Sequence, residues 1–151
     1  MRYWCVSTSP ENWLIGKKHM LWGLDTRYFV TLEKYVSDGD LAIVYTEGSF
    51  LAAIQFVGKY FYDLTSLGWT RGEKKYPFPY RLHFEMVKES ISPPKIFDST
   101  EEEELRANWS KPNLIDDIVF LAAKGKTWNL YLEESIVLIP KEDYNTIFQR
   151  L

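Results

Sequence analysis

The sequence predicts a single mixed α+β domain on a mostly antiparallel sheet. Short β-rich apolar runs recur at Tyr3–Thr8, Leu41–Thr46 and Leu51–Tyr62, each broken by turn residues. Helical spacing follows capping signals in the first and last thirds of the chain. Nowhere in the 151 residues is there a repeat, a low-complexity tract or a linker long enough to divide it, so residues 1–151 read as one domain. A chain of this length buries a real core.

Tyr3 to Thr8 is short enough for a buried strand, with Trp4 and Cys5 on opposite sides. Ser9 is a good N-cap and Pro10 a good first helical residue, so a short helix runs through Trp13 and Leu14 to about Lys18. Lys17, Lys18 and His19 at its end complement the helix dipole. Trp22-Gly23-Leu24 reads as a loop with a large side chain to place. Tyr28, Leu32, Tyr35 and Val36 have helical spacing, ended by the turn residues Ser37 to Asp40. Two strands then flank Glu47-Gly48-Ser49-Phe50 as a hairpin.

A loop from Asp63 to Pro79 brings Arg71, Lys74 and Lys75 close together. Tyr80 to Val87 alternates Tyr80, Leu82, Phe84 and Met86 with Arg81, His83 and Glu85, a strand with one wet face, and Pro93-Pro94 ends it. Ser99 to Arg106 reads as a capped helix whose acids, Glu101 to Glu104, form a solvated first turn. Ile115 to Ala122 fits either helix or strand, and Trp128 to Leu132 reads as a strand. Ile136 to Ile139 is apolar enough to be buried. Pro140 opens a final helix with Tyr144, Ile147, Phe148 and Leu151 on one face.

Composition narrows the function classes. The net charge of −3 argues against a protein that coats nucleic acid by charge alone, while leaving room for local basic patches. One cysteine, Cys5, and two histidines, His19 and His83, leave no metal-ligand cluster, so no metal or cofactor is expected. No apolar run approaches the ~18–20 residues of a membrane span, and the first residues lack a secretory leader. A reducing, cytoplasmic setting is expected. Aromatic residues make up 17% of the chain, with six tryptophans and ten tyrosines, and an aromatic-rich core accounts for most of them individually. Tryptophan and tyrosine in such number also raise the prospect of a stacking surface.

Several landmarks occur in one order: Tyr3-Trp4, Asn12-Trp13, Trp22-Gly23, Gly39-Asp40, Tyr76-Pro77-Phe78-Pro79-Tyr80-Arg81, Trp128 and Asp143-Tyr144. In that order they resemble EVE domains, particularly the small stand-alone prokaryotic proteins of that family, over nearly the whole chain. Leu24-Asp25 stands where an arginine and an asparagine often follow the Trp-Gly motif, and Phe50 to Lys75 is individual to this chain. The resemblance implies a PUA-like fold, a small curled β-barrel flanked by helices. It also implies kinship with YTH domains, which hold a methylated adenine of RNA in an aromatic cage. The implied function is a non-catalytic module that recognises a modified nucleobase of DNA or RNA.

By the same resemblance Trp22 is a stacking wall, with a loop residue capping the core as the alternative. Ser7, Thr8, Ser9 and Asn12 match the polar stretch that reads a base edge, although Ser9 is already explained as a cap. The second wall falls to Tyr76, Phe78 or Tyr80, in a loop stiffened by Pro77 and Pro79, with Trp69 as another donor. Phosphate contacts fall to Arg71, Lys74, Lys75 and Arg81 at one rim and Lys124 and Lys126 at another.

Two rival functions stay in view. A hydrolase, such as a PUA-like ribonuclease, needs a convergent constellation, and the sequence offers only His83 with Glu85 and the adjacent Asp116-Asp117. A protein-interaction or scaffold module is the other.

Overall fold

The computed structural model of the chain describes residues 1–93 and 135–151. The expectations for Ser99–Arg106, Ile115–Ala122 and Trp128–Leu132, and for Asp116, Asp117, Lys124 and Lys126, lie outside the described residues. Six strands form one curled sheet in the order β2-β7-β4-β3-β1-β8: β1 (Tyr3–Ser7), β2 (Leu21–Leu24), β3 (Leu41–Thr46), β4 (Ser49–Tyr62), β7 (Tyr80–Glu89) and β8 (Ile136–Ile139). A small separate hairpin pairs β5 (Thr70–Arg71) with β6 (Lys74–Lys75). Among the described residues three helices flank the sheet: α1 (Pro10–His19), α2 (Phe29–Lys34, preceded by a 3-10 turn at Thr26–Tyr28) and α3 (Lys141–Arg150). The result is an α+β half-barrel of the PUA-like kind. Every neighbouring pair is antiparallel except β1 with β3, which run parallel.

Local chemistry sets most of these elements. Ser9 accepts the Asn12 N–H at 3.2 Å and Pro10 opens α1, while Met20 closes it in the left-handed region. Glu47 and Gly48 both have positive φ, 43° and 85°, as a two-residue hairpin turn between right-twisted strands requires. The curl comes from irregularities in the long strand β4. Its register with β3 shifts beside Tyr45, and that with β7 shifts near Ala53 and again beyond Val57. Such bulges bend a strand and sharpen its twist.

Period-2 alternation then divides the core. Trp4 and Val6 of β1 face the inside of the curl with Trp13, Trp22, Leu24, Leu32, Ile54 and Phe84. Cys5 faces the other side, against Ile43, Phe50, Val137, Tyr144 and Ile147 beneath α3. Trp22, expected in a loop, is instead the second residue of β2, opposite Leu82.

The parallel β1–β3 pair is held by one buried carboxylate. Asp40 accepts the Arg2 and Ser37 backbone N–H groups and the Trp4 indole N–H, each at 3.0 Å. An amide there turns one acceptor into a donor. Asp40→Asn is therefore expected to cost on the order of 3 kcal/mol, read as a lower urea midpoint at unchanged m-value.

Candidate functional site

A cleft of about 620 Å³ opens where β1 hands over to α1. Ligand pockets run about 300–1,000 Å³, so this one has room for a flat heterocycle. Ser7, Thr8 and Ser9 form one wall, Asp25 to Tyr28 and the β3–β4 turn (Tyr45, Glu47) others, and Thr70, Arg71 and Phe78 the far side. Beneath it lies a recess of about 20 Å³ that shares Thr8, Asn12, Gly23 and Phe78 with the cleft and reaches Leu21, Trp22 and Trp69. That volume suits one water-sized group.

The far wall is built by three devices. Asn12 reaches from α1 to bind both polar groups of Thr70, donating to its carbonyl at 2.7 Å and accepting its N–H at 2.9 Å. Gly23 lets Trp69 and Phe78 lie against the β2 backbone, since a Cβ there would stand 2.6 Å from Trp69 Cζ3 and 2.8 Å from Phe78 Cβ. Arg81 stands inside the loop, 1% exposed, donating to the carbonyls of Thr65, Pro77 (3.0 Å) and Phe78 (3.4 Å). Its guanidinium also packs over Trp69, 5.2 Å from the ring centroid. Phe78 itself has φ +44°, uncommon for a bulky residue and a form of strain that gathers at functional sites.

Among the described residues, charge inside the cleft is mixed, with a small acidic excess, rather than basic. Glu11, Asp25 and Glu47 share it with Arg27 and Arg71. Asp25 accepts the Arg27 N–H at 2.9 Å and pairs with Arg71 at 3.3 Å. Arg71 also lies over Tyr76, 5.1 Å from its centroid. Cys5 is fully buried, its thiol pushed up to about 12 by desolvation, so it is no nucleophile. His83 and Glu85 are exposed on β7, outside the cleft, with His83 stacked on Phe61.

Of the residues expected to form the site, Ser7, Thr8, Ser9, Asn12, Arg71 and Phe78 line the cleft, and Trp22 lines only the recess. Four expectations need correction. Trp22 is 3% exposed and offers no open face for stacking. Arg81 is committed to backbone carbonyls and cannot reach phosphate. Tyr80 lies in a separate cluster with Phe29, Tyr60 and Tyr62. Asn12 is a latch for Thr70 rather than a free edge reader. Tyr76 sits behind Phe78, ring centroids 4.7 Å apart, and Lys74 and Lys75 stand exposed on the outer hairpin. Sequence reasoning missed Tyr28 and Tyr45, which the helical and strand patterns assigned to core.

The curled sheet, with its cleft at the end of β1, has the PUA-like fold. The chain belongs to the UPF0310 family: it is 30% identical over 163 aligned positions to the UPF0310 protein PH1033 of Pyrococcus horikoshii, the match covering 97% of each. No family model matches it. Among solved structures it resembles the Pho92 YTH domain in complex with m6A (TM-score 0.62, 13% identity, 99% of this chain and 84% of that one). It also resembles human THYN1 in complex with DNA containing 5-methylcytosine (TM-score 0.57, 11% identity, 99% and 97%). A hypothetical protein of Leishmania major has the same fold (TM-score 0.59, 12% identity, 99% and 94%).

Proposed function

We propose that this chain is a non-catalytic, nucleic-acid-binding module that takes one nucleobase, carrying a modification such as a methyl group, into the cleft. The observation that carries this reading is the character of the cleft. It has a volume of about 620 Å³, is lined by the aromatic residues Tyr28, Tyr45 and Phe78 and the hydroxyl-bearing Ser7, Thr8 and Ser9, and carries both signs of charge. A neutral flat heterocycle suits such a space better than a phosphate does. The methylated bases held by the Pho92 and THYN1 relatives of this fold support the same reading. Binding is favoured over catalysis because, among the described residues, the cleft lining contains neither histidine nor cysteine and its Asp25 is already paired.

In this reading Phe78 supplies stacking, and Ser7, Thr8 and Ser9 read the base edge. Arg71 at the cleft and Lys74 and Lys75 on the outer hairpin follow the strand, and a cytoplasmic setting suits the reduced Cys5. Stacking is worth roughly 1–3 kcal/mol per base, and a buried methyl only ~0.8 kcal/mol. Discrimination by the methyl alone is therefore modest.

The test is fluorescence anisotropy with single- and double-stranded oligonucleotides carrying 5-methylcytosine or N6-methyladenine, at two salt concentrations. Phe78→Ala is expected to weaken binding by about tenfold or more. Binding that is weak, salt-sensitive and indifferent to Phe78 would point to a protein-interaction module instead.

A further inference from the structure

Trp22 is enclosed, its ring 6.2 Å from that of Trp13, and it turns no face to the cleft. What it has left is an edge. Its Nε1 is buried and has no acceptor among the described residues. Leaving a buried donor unpaired costs about 1–3 kcal/mol, and native interiors seldom keep one without a reason. The contrast lies within the same core: the buried indole N–H of Trp4 is paired with Asp40 at 3.0 Å.

Trp22 also borders the water-sized recess under the cleft. Leu21, Trp69 and Phe78 give that recess apolar walls, and the amide of Asn12 is turned to Thr70 through both its oxygen and its nitrogen. Of the residues that line it, Trp22 carries an indole N–H, a donor of fixed polarity, and Thr8 a rotatable hydroxyl.

We propose that the recess is an acceptor subsite: a carbonyl oxygen or unprotonated ring nitrogen at the leading edge of the bound base seats there and accepts from Trp22 Nε1. This rests on the base-reading function proposed above and assigns Trp22 the part of a specificity residue. A base that presents an amino group at this point sets donor against donor, and one that presents a methyl leaves the indole unpaired. Either is disfavoured by the cost of a buried orphan group.

The test records the indole N–H signals of ¹⁵N-labelled protein while the same methylated oligonucleotides are added, Trp22→Phe assigning its resonance. The expected result is a downfield move and slower exchange of the Trp22 indole proton on binding. Binding by folded Trp22→Phe, with the other indole signals in place, is expected to be about tenfold weaker. If wild type binds, its Trp22 indole proton stays put and Trp22→Phe binds equally well, the subsite is overturned while base reading stands. If wild type binds none of the oligonucleotides, both fall together. Should Trp22→Phe fail to fold, the wild-type Trp22 indole signal, assigned through its contacts with neighbouring protons, decides.

Discussion

Gly23→Ala is expected to weaken oligonucleotide binding by at least about thirtyfold while leaving the protein folded. The added methyl would meet Trp69 Cζ3 at 2.6 Å, Trp69 Cη2 at 2.9 Å and Phe78 Cβ at 2.8 Å. Trp69 is buried and has little freedom to step aside, so the strain passes to the loop that forms the far wall. Overpacking of this kind costs about 1–3 kcal/mol, and 2 kcal/mol of it spent on displacing the wall corresponds to that loss of affinity. The effect is steric, because Gly23 does not occupy the left-handed backbone region. Binding curves and urea melts on the same variant separate the two contributions. Unchanged affinity would show that Trp69 and Phe78 take no part in recognition.

The second large effect belongs to Arg81. Arg81→Met removes the donors that hold the carbonyls of Thr65, Pro77 and Phe78 and the ion pair with Asp63 at 3.6 Å. A loss on the order of 3–5 kcal/mol is expected, the range for breaking a buried charged network. It should appear as a lower urea midpoint together with faster proteolysis between Asp63 and Pro79. Arg81→Lys is expected to recover only part, since an ammonium cannot reproduce the planar fork that serves several carbonyls.

Burial lowers the Arg81 pKa and the nearby Asp63 opposes that shift, yet the group stays charged through the working range. The pKa of Asp63 is lowered, first by the Thr65 N–H that its carboxylate accepts and to a lesser degree by Arg81. A depressed carboxylate contributes stability that is present above its unfolded pKa and lost as pH falls through its folded value. Acid should therefore loosen this loop, and Asp63→Asn should flatten that part of the acid profile.

The legible parts of the molecule were those governed by local chemistry. The Ser9-Pro10 cap, the Glu47-Gly48 turn, the alternation along β7 and the apolar face of α3 each follow from a few neighbouring residues. Trp22 was misplaced because β2 is only four residues long and has a glycine within it, a pattern shared by loops. The glycine was also the available clue, since glycine inside a strand often marks a close backbone approach, here by Trp69 and Phe78.

Arg81 looked like a rim charge because arginine seldom lies inside, and its partners are loop carbonyls that leave no side-chain signature. Asn12 lines the cleft, but its amide is bonded to Thr70, 58 residues away, a partner that no local pattern marks. Tyr28 and Tyr45 come from elements whose periodicity marks them as core. Only the curl of the sheet, set by register shifts in β4, brings them to one cleft.

The central claim is that the base, rather than the strand, is what the cleft holds. The most direct measurement compares one oligonucleotide carrying 5-methylcytosine or N6-methyladenine with the same strand made abasic at that position, at two salt concentrations. The account predicts that the abasic strand binds at least about tenfold more weakly at both salts, because the stacking and edge contacts of the base are lost with it. Equal binding of the two strands, falling steeply as salt rises, would contradict it and leave only a charged surface.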